Sequence, residues 1–208
     1  MLLDLDENVS VVATKHFFNG LLDVPLYVVL IVLIAVDAVV LCLGAALGTT
    51  LDGRETVLLH FNMGLLGAML TCFIHILVLF YFIGTGKDIR DAIDSDPELK
   101  KRYLPWTREQ KRRVFPPACL AISLMIVATL MGGEIHSRLI AYDAGVTLPF
   151  RQLPAWWVHL FFVVVALLAS GYAFYAEVVA VKENRRAIQD INRTLDRTSA
   201  REVDADPV

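Results

Sequence analysis

The sequence predicts an all-α membrane protein: a four-transmembrane-helix up-down bundle with both termini cytoplasmic. Three observations predict it: four long apolar runs, an uneven distribution of basic residues between them, and a polar stripe inside the second run. Of the 208 residues, 56% are hydrophobic, and the mean hydropathy is +0.57. The formal charge of −3 is too small to argue for a nucleic-acid partner, so hydrophobicity decides the class. The apolar runs cover residues 24–48, 57–84, 116–136 and 156–181. Each approaches or exceeds the roughly 20 residues that cross a hydrocarbon core at about 1.5 Å per residue. The reading is therefore one four-helix membrane domain over 1–198, followed by a disordered tail at 199–208.

The elements follow in order. Residues 8–22 are amphipathic and suit the membrane interface, and Pro25 opens the first span. The second span continues past the bilayer through KDIRDAID, with Gly84 and Gly86 as a place to bend. Ser95, Asp96 and Pro97 start a short charged helix, and the Thr107–Gln110 capping-box pattern starts a second one, basic, that ends at Pro116 and Pro117. Those prolines head the third span. Trp156 and Trp157 open the fourth, which runs on with Ile188, Ile191 and Leu195 as a short apolar stripe suited to a docking partner.

Charge fixes the orientation. The 85–114 connection carries Lys87, Arg90, Lys100, Lys101, Arg102, Arg108, Lys111, Arg112 and Arg113, and more arginines follow the last span. The opposite loops offer only Arg54, Arg138 and Arg151. By the positive-inside rule the long connection and both termini are cytoplasmic, in a prokaryotic-type inner membrane. The acidic start, MLLDLDE, argues against a cleaved secretory signal. Cys42, Cys72 and Cys119 lie within spans without metal-type spacing and read as packing residues.

Within the second span, steps of three and four give His60, Gly64, Gly67, Thr71 and His75. Such a stripe faces protein or a cofactor, because ionisable groups are costly in lipid. Alternating helix direction places His60, His136 and His159 in one outer layer, from three different helices. Two chemistries suit that layer. One is a b-type haem (haem b) held by His60 with His159 or His136, with Gly64 and Gly67 against the ring and Arg138, Arg54 or Arg151 on the propionates. The other is a copper, zinc or iron site of His60, His136, His159 and Glu134. Deeper in, Asp37, His75 and Glu177 form a candidate proton path or quinone head-group pocket, with Ser170 on the Glu177 face.

The general plan resembles small four-helix membrane cytochrome b modules, such as the haem-bearing anchors of respiratory dehydrogenases. The resemblance covers the four spans and rests on architecture and histidine depth. It implies electron transfer linked to quinone and to a redox partner protein. Beside it stand a metal-binding membrane protein and a cofactor-free scaffold or proton-coupled transport subunit. As a transporter, four helices imply a homo-oligomer.

Overall fold

The computed structural model describes residues 25–49, 54–143 and 156–205. They form four helices: α1 (Leu26–Thr49), α2 (Arg54–Ala92), α3 (Pro97–Asp143) and α4 (Trp156–Ala205). All four are long and apolar enough to cross a membrane. The amphipathic segment 8–22 and Arg151 lie outside the described residues, and of Arg54 only the backbone is described.

Sequential helices pack as neighbours, and α1 closes against α4. Helices α2 and α4 also meet across the diagonal, so any contact between them lies at the centre of the bundle. Helix α1 is nearly all apolar, yet only Leu30, Asp37 and Gly44 are buried. Those residues are seven apart, the period of one narrow seam along a helix. Ile31, Val32, Val36, Val39 and Leu43 face outward as lipid-compatible surface, while Leu26, Tyr27, Leu33 and Ile34 are half-buried against the core.

Three apolar layers fill the interior. Ala68, Met125, Ala128 and Ala166 pack toward the Trp156 end. Leu30, Ile74, Val78, Phe82, Val114, Phe174, Ala180 and Val181 form the middle layer. Ile89, Ile93, Leu99, Tyr103, Ala187 and Ile191 form the layer at the basic end, with Ile188 and Leu195 packed against it. The apolar stripe on α4 is thus covered by the chain's own α2 and α3, which corrects the expectation that it awaits a partner.

Two short helices were expected before the third span, but α3 is continuous from Pro97 through Pro105, Pro116 and Pro117. It does begin at the expected cap: Asp96 Oδ1 accepts the backbone N–H groups of Glu98 (2.9 Å) and Leu99 (3.0 Å). The second capping box does not form. Thr107 Oγ1 donates back to the Tyr103 carbonyl, and the Gln110 amide donates across to Glu183. Each proline removes one backbone donor; Leu99, Tyr103 and Val114, all buried, hold the helix together across those gaps. Helix α2 likewise runs unbroken through Gly84 and Gly86. A Cβ on Gly86 would lie 2.9 Å from Lys111 Nζ, so this glycine admits a side chain of α3. The backbone of α4 stays helical to Ala205, beyond residue 199, where the tail was expected to begin.

Candidate functional site

The bundle centre is polar. Asp37 is 1% exposed, and Thr71, His75 and Glu177 are each 0% exposed. Thr71 Oγ1 donates to Asp37 Oδ2 at 2.7 Å, tying α1 to α2. His75 Nδ1 meets Glu177 Oε1 at 2.8 Å, tying α2 to α4 across the diagonal. The His75 ring also stacks on Phe174, with centroids 4.4 Å apart. Thr71 and His75 are one turn apart on α2, so the two pairs occupy successive levels of one site. Three of the residues singled out from sequence are therefore gathered here, and Thr71 of the α2 stripe completes the group.

Four buried atoms of this region have no protein partner: Asp37 Oδ1, His75 Nε2, Ser170 Oγ and Glu177 Oε2. Buried polar atoms in native proteins are nearly always hydrogen-bonded to protein or to ordered water. Buried polar atoms of this kind suit hydrogen bonds to internal water. One hydrogen lies between His75 Nδ1 and Glu177 Oε1 in this contact.

Toward the basic end lies a second polar level that the sequence reading did not single out. Asn184, 2% exposed, donates from Nδ2 to the Tyr81 hydroxyl (2.9 Å) and to Thr85 Oγ1 (3.1 Å). Thr85 in turn donates to the Tyr81 carbonyl. Next to it on α4, Glu183 accepts from Gln110 at 2.7 Å and from Arg113 at 3.2 Å. The available signal was spacing: Asn184 follows Glu177 by two helical turns on the same face.

The outer histidines are arranged differently. His60 Nδ1 lies 2.7 Å from the Gly44 carbonyl. A carbonyl only accepts, so Nδ1 carries the proton and Nε2 keeps its lone pair. The His60 ring rests on Gly48, where a Cβ would approach Cε1 to 2.7 Å. The His159 ring rests on Gly132 in the same way, at 2.8 Å, and is hydrogen-bonded to the Ala128 backbone. His136 turns elsewhere and stacks on Phe61, with centroids 4.5 Å apart. Glu134 is held by Arg138, one turn away, at 2.6 Å.

Two expectations therefore change. The four-residue metal set of His60, His136, His159 and Glu134 is not assembled: among the described residues no group of three or more His, Cys, Asp or Glu is placed to hold a metal ion. Gly64 and Gly67 do not line a common slot. A Cβ on Gly67 would strike Leu41 Cδ2 of α1 at 2.5 Å, whereas one on Gly64 would meet nothing within 4 Å. Gly67 lets α1 and α2 approach closely, as small residues do between membrane helices. Gly44 and Gly48 supply the α1 side of that contact and were missed, because Gly-Ala-Ala-Leu-Gly reads as one more apolar stretch.

At the basic end, Tyr103 donates to Asp190, and Arg102 approaches the same carboxylate at 3.4 Å. An open cleft of about 420 Å³ lies beside them, between Trp106 and Arg186. Burial, together with the neighbouring Asp190 carboxylate, pushes the Tyr103 phenol above its ordinary value of 10.0.

Fold and site together define an all-helical protein with four helices fit to cross a membrane and an ionisable network at their centre. No family model, no curated protein and no solved structure matches the chain.

Proposed function

We propose that this is a proton-handling membrane subunit, in which Glu177, His75 and Asp37 take up and pass on a proton inside the bilayer. The observation that carries the reading is the contact between His75 and Glu177, two ionisable residues on diagonal helices, both fully buried. Ionisable groups at membrane depth are costly, face the bundle interior, and mark proton relays and ion pathways. Asp37, anchored by Thr71 beside them, gives the proton a second carboxylate, and Ser170 lies on the same face of α4 as Glu177. The density of basic residues at the α2–α3 turn supports a cytoplasmic location for that end and for both termini, in keeping with a prokaryotic-type inner membrane.

Infrared difference spectroscopy of the protein in lipid tests this. A protonated-carboxyl band should change with pH and be lost in part in Glu177→Gln and in Asp37→Asn. A wild-type spectrum with no pH-sensitive carboxyl band would overturn the reading.

One observation favours a second reading, a b-type haem held by His60 and His159. The Nδ1–H of His60 on a backbone carbonyl is the arrangement that orients a metal-ligating imidazole and presents Nε2. With a haem there, the inner network would supply protons to quinone-linked electron transfer with a redox partner. Purified protein would show a Soret band and, on reduction, sharp α and β bands that His60→Ala removes; metal analysis of the same sample separates copper, zinc and iron. Colourless, metal-free protein refutes this second reading and leaves the first standing.

A further inference from the structure

The buried network is separated from each end of the bundle by apolar packing, and the two barriers are unequal. Toward the basic end, Glu177 and Asn184 are seven residues apart on α4, about 10 Å at 1.5 Å per residue. Only one packed level lies between them. Val181 is one turn beyond Glu177, Val78 is one turn beyond His75, and both belong to the middle apolar layer with Phe82 and Val114. Past that level the Tyr81–Asn184–Thr85 collar begins, with Glu183, Gln110 and Arg113 beside it.

Toward the other end the span is longer. Thr71 to His60 on α2, Asp37 to Gly48 on α1 and Ser170 to His159 on α4 are each eleven residues, about 16 Å. That interval holds Ala68, Met125, Ala128 and Ala166, together with the Gly67–Leu41 contact between α1 and α2.

We infer that Val78 and Val181 form a hydrophobic gate, and that the Tyr81–Asn184–Thr85 collar behind it is the proton entry from the basic side. This rests on the proton-handling reading above and adds a route and a direction to it. The physics is that of dewetting. A constriction lined by valine and phenylalanine excludes water when closed, and a short water chain bridges it when the walls part. Polar groups must receive the chain at both ends. On the inner end these are His75 Nε2 and Glu177 Oε2, both buried and unpartnered. On the outer end the Tyr81 hydroxyl accepts from Asn184, which leaves its own hydrogen to donate. Asn184 cannot itself carry a proton at neutral pH; it fixes the Tyr81 and Thr85 hydroxyls that line the entry. Gln110 keeps one buried acceptor, Oε1, without a partner beside Glu183, which continues the polar lining outward.

The test is a pH jump on one side of oriented proteoliposomes, read as the rate of change of the buried-carboxyl infrared band, with the equilibrium band recorded on the same samples. In wild type a jump on the basic side should be followed faster than one on the opposite side. Asn184→Leu should slow the response about tenfold, as replacing a buried hydrogen-bonding group with an apolar one of similar size removes the collar's order. Val78→Ser should speed it by a similar factor, while leaving the equilibrium band in place. If the band is present and pH-sensitive but its rate is unchanged in both variants, or is faster from the opposite side, the gate is wrong and proton handling stands. If wild type has no pH-sensitive band at all, the underlying reading has failed and the gate with it. A second collar change, Thr85→Val, covers the case of an Asn184→Leu protein that does not fold, and should also slow the response.

Discussion

The free energy linking His75 to Glu177 distinguishes a working proton site from a structural ion pair. At 2.8 Å a full charge pair attracts by about 6 kcal/mol at an effective dielectric constant near 20. Both residues are fully buried, and removing a charge from water still costs several kcal/mol per ion after relaxation. Two such costs match or exceed the attraction, so a locked ion pair is not the favoured state and the pair is held as a neutral hydrogen bond. The net coupling should then be that of a hydrogen bond between membrane helices, about 0.6 kcal/mol on average and at most about 1.7. A double-mutant cycle of His75→Leu, Glu177→Leu and the double variant, with stability read from reversible unfolding in mixed detergent micelles, isolates that number. A coupling of about 4 kcal/mol, the range for breaking a buried ion pair, would refute the argument. The site would then be an electrostatic clamp, and proton transfer through it would need a partner other than His75.

Other expected outcomes follow from the same geometry. Gly48→Ala should push the His60 ring off its seat and break its bond to the Gly44 carbonyl, seen as a changed histidine ring nitrogen signal by NMR; an unchanged signal would mean that the ring has room. Gly67→Val should cost about 1–3 kcal/mol of stability through overpacking against Leu41, and a neutral result would show that α1 yields freely. Ile191→Ala, which opens the layer at the basic end, should cost about 2–5 kcal/mol in the same unfolding assay. Because the folded-state value of Tyr103 is raised, its contribution to stability is fully present below the unfolded value near 10 and is lost as pH rises through the folded one. Tyr103→Phe should therefore flatten the fall in stability above about pH 10; an equal fall in both proteins would assign that loss elsewhere.

Depth was legible in the sequence, and direction around each helix axis only partly. Counting residues at 1.5 Å each sets the level of a side chain, which is why Asp37, His75 and Glu177 stand at neighbouring levels as expected. Their inward direction was also readable, since a charge in an apolar run has few tolerable orientations. His60, His136 and His159 share a level equally well, but nothing in a single chain fixes how four helices rotate relative to one another. His136 faces Phe61, His60 turns onto Gly44 and Gly48 of α1, and His159 turns onto Gly132 of α3. The collar escaped notice for a related reason: Tyr81, Thr85 and Asn184 lie where a span meets its polar extension, and such residues read as solvated. Pro116 and Pro117 suggested a helix end because local chemistry favours one there, whereas packing of Leu99, Tyr103 and Val114 against the other helices overrides it.

The single narrow seam of α1 has a mechanical consequence. Lipid tails are as apolar as leucine, so most of this helix gains nothing by facing inward rather than outward. Its rotational phase is set instead by Asp37, by the hydrogen bond from Thr71 and by the glycine contact above them. Turning the helix by one residue, 100°, would carry the carboxylate from the bundle into hydrocarbon, at a cost of about 2.5–3.5 kcal/mol on insertion scales. Any event that neutralises or re-pairs Asp37 lowers that penalty and loosens the angular setting of the entire helix. One carboxyl group thus acts as the index pin of an otherwise smooth shaft, and its occupancy can be converted into rotation.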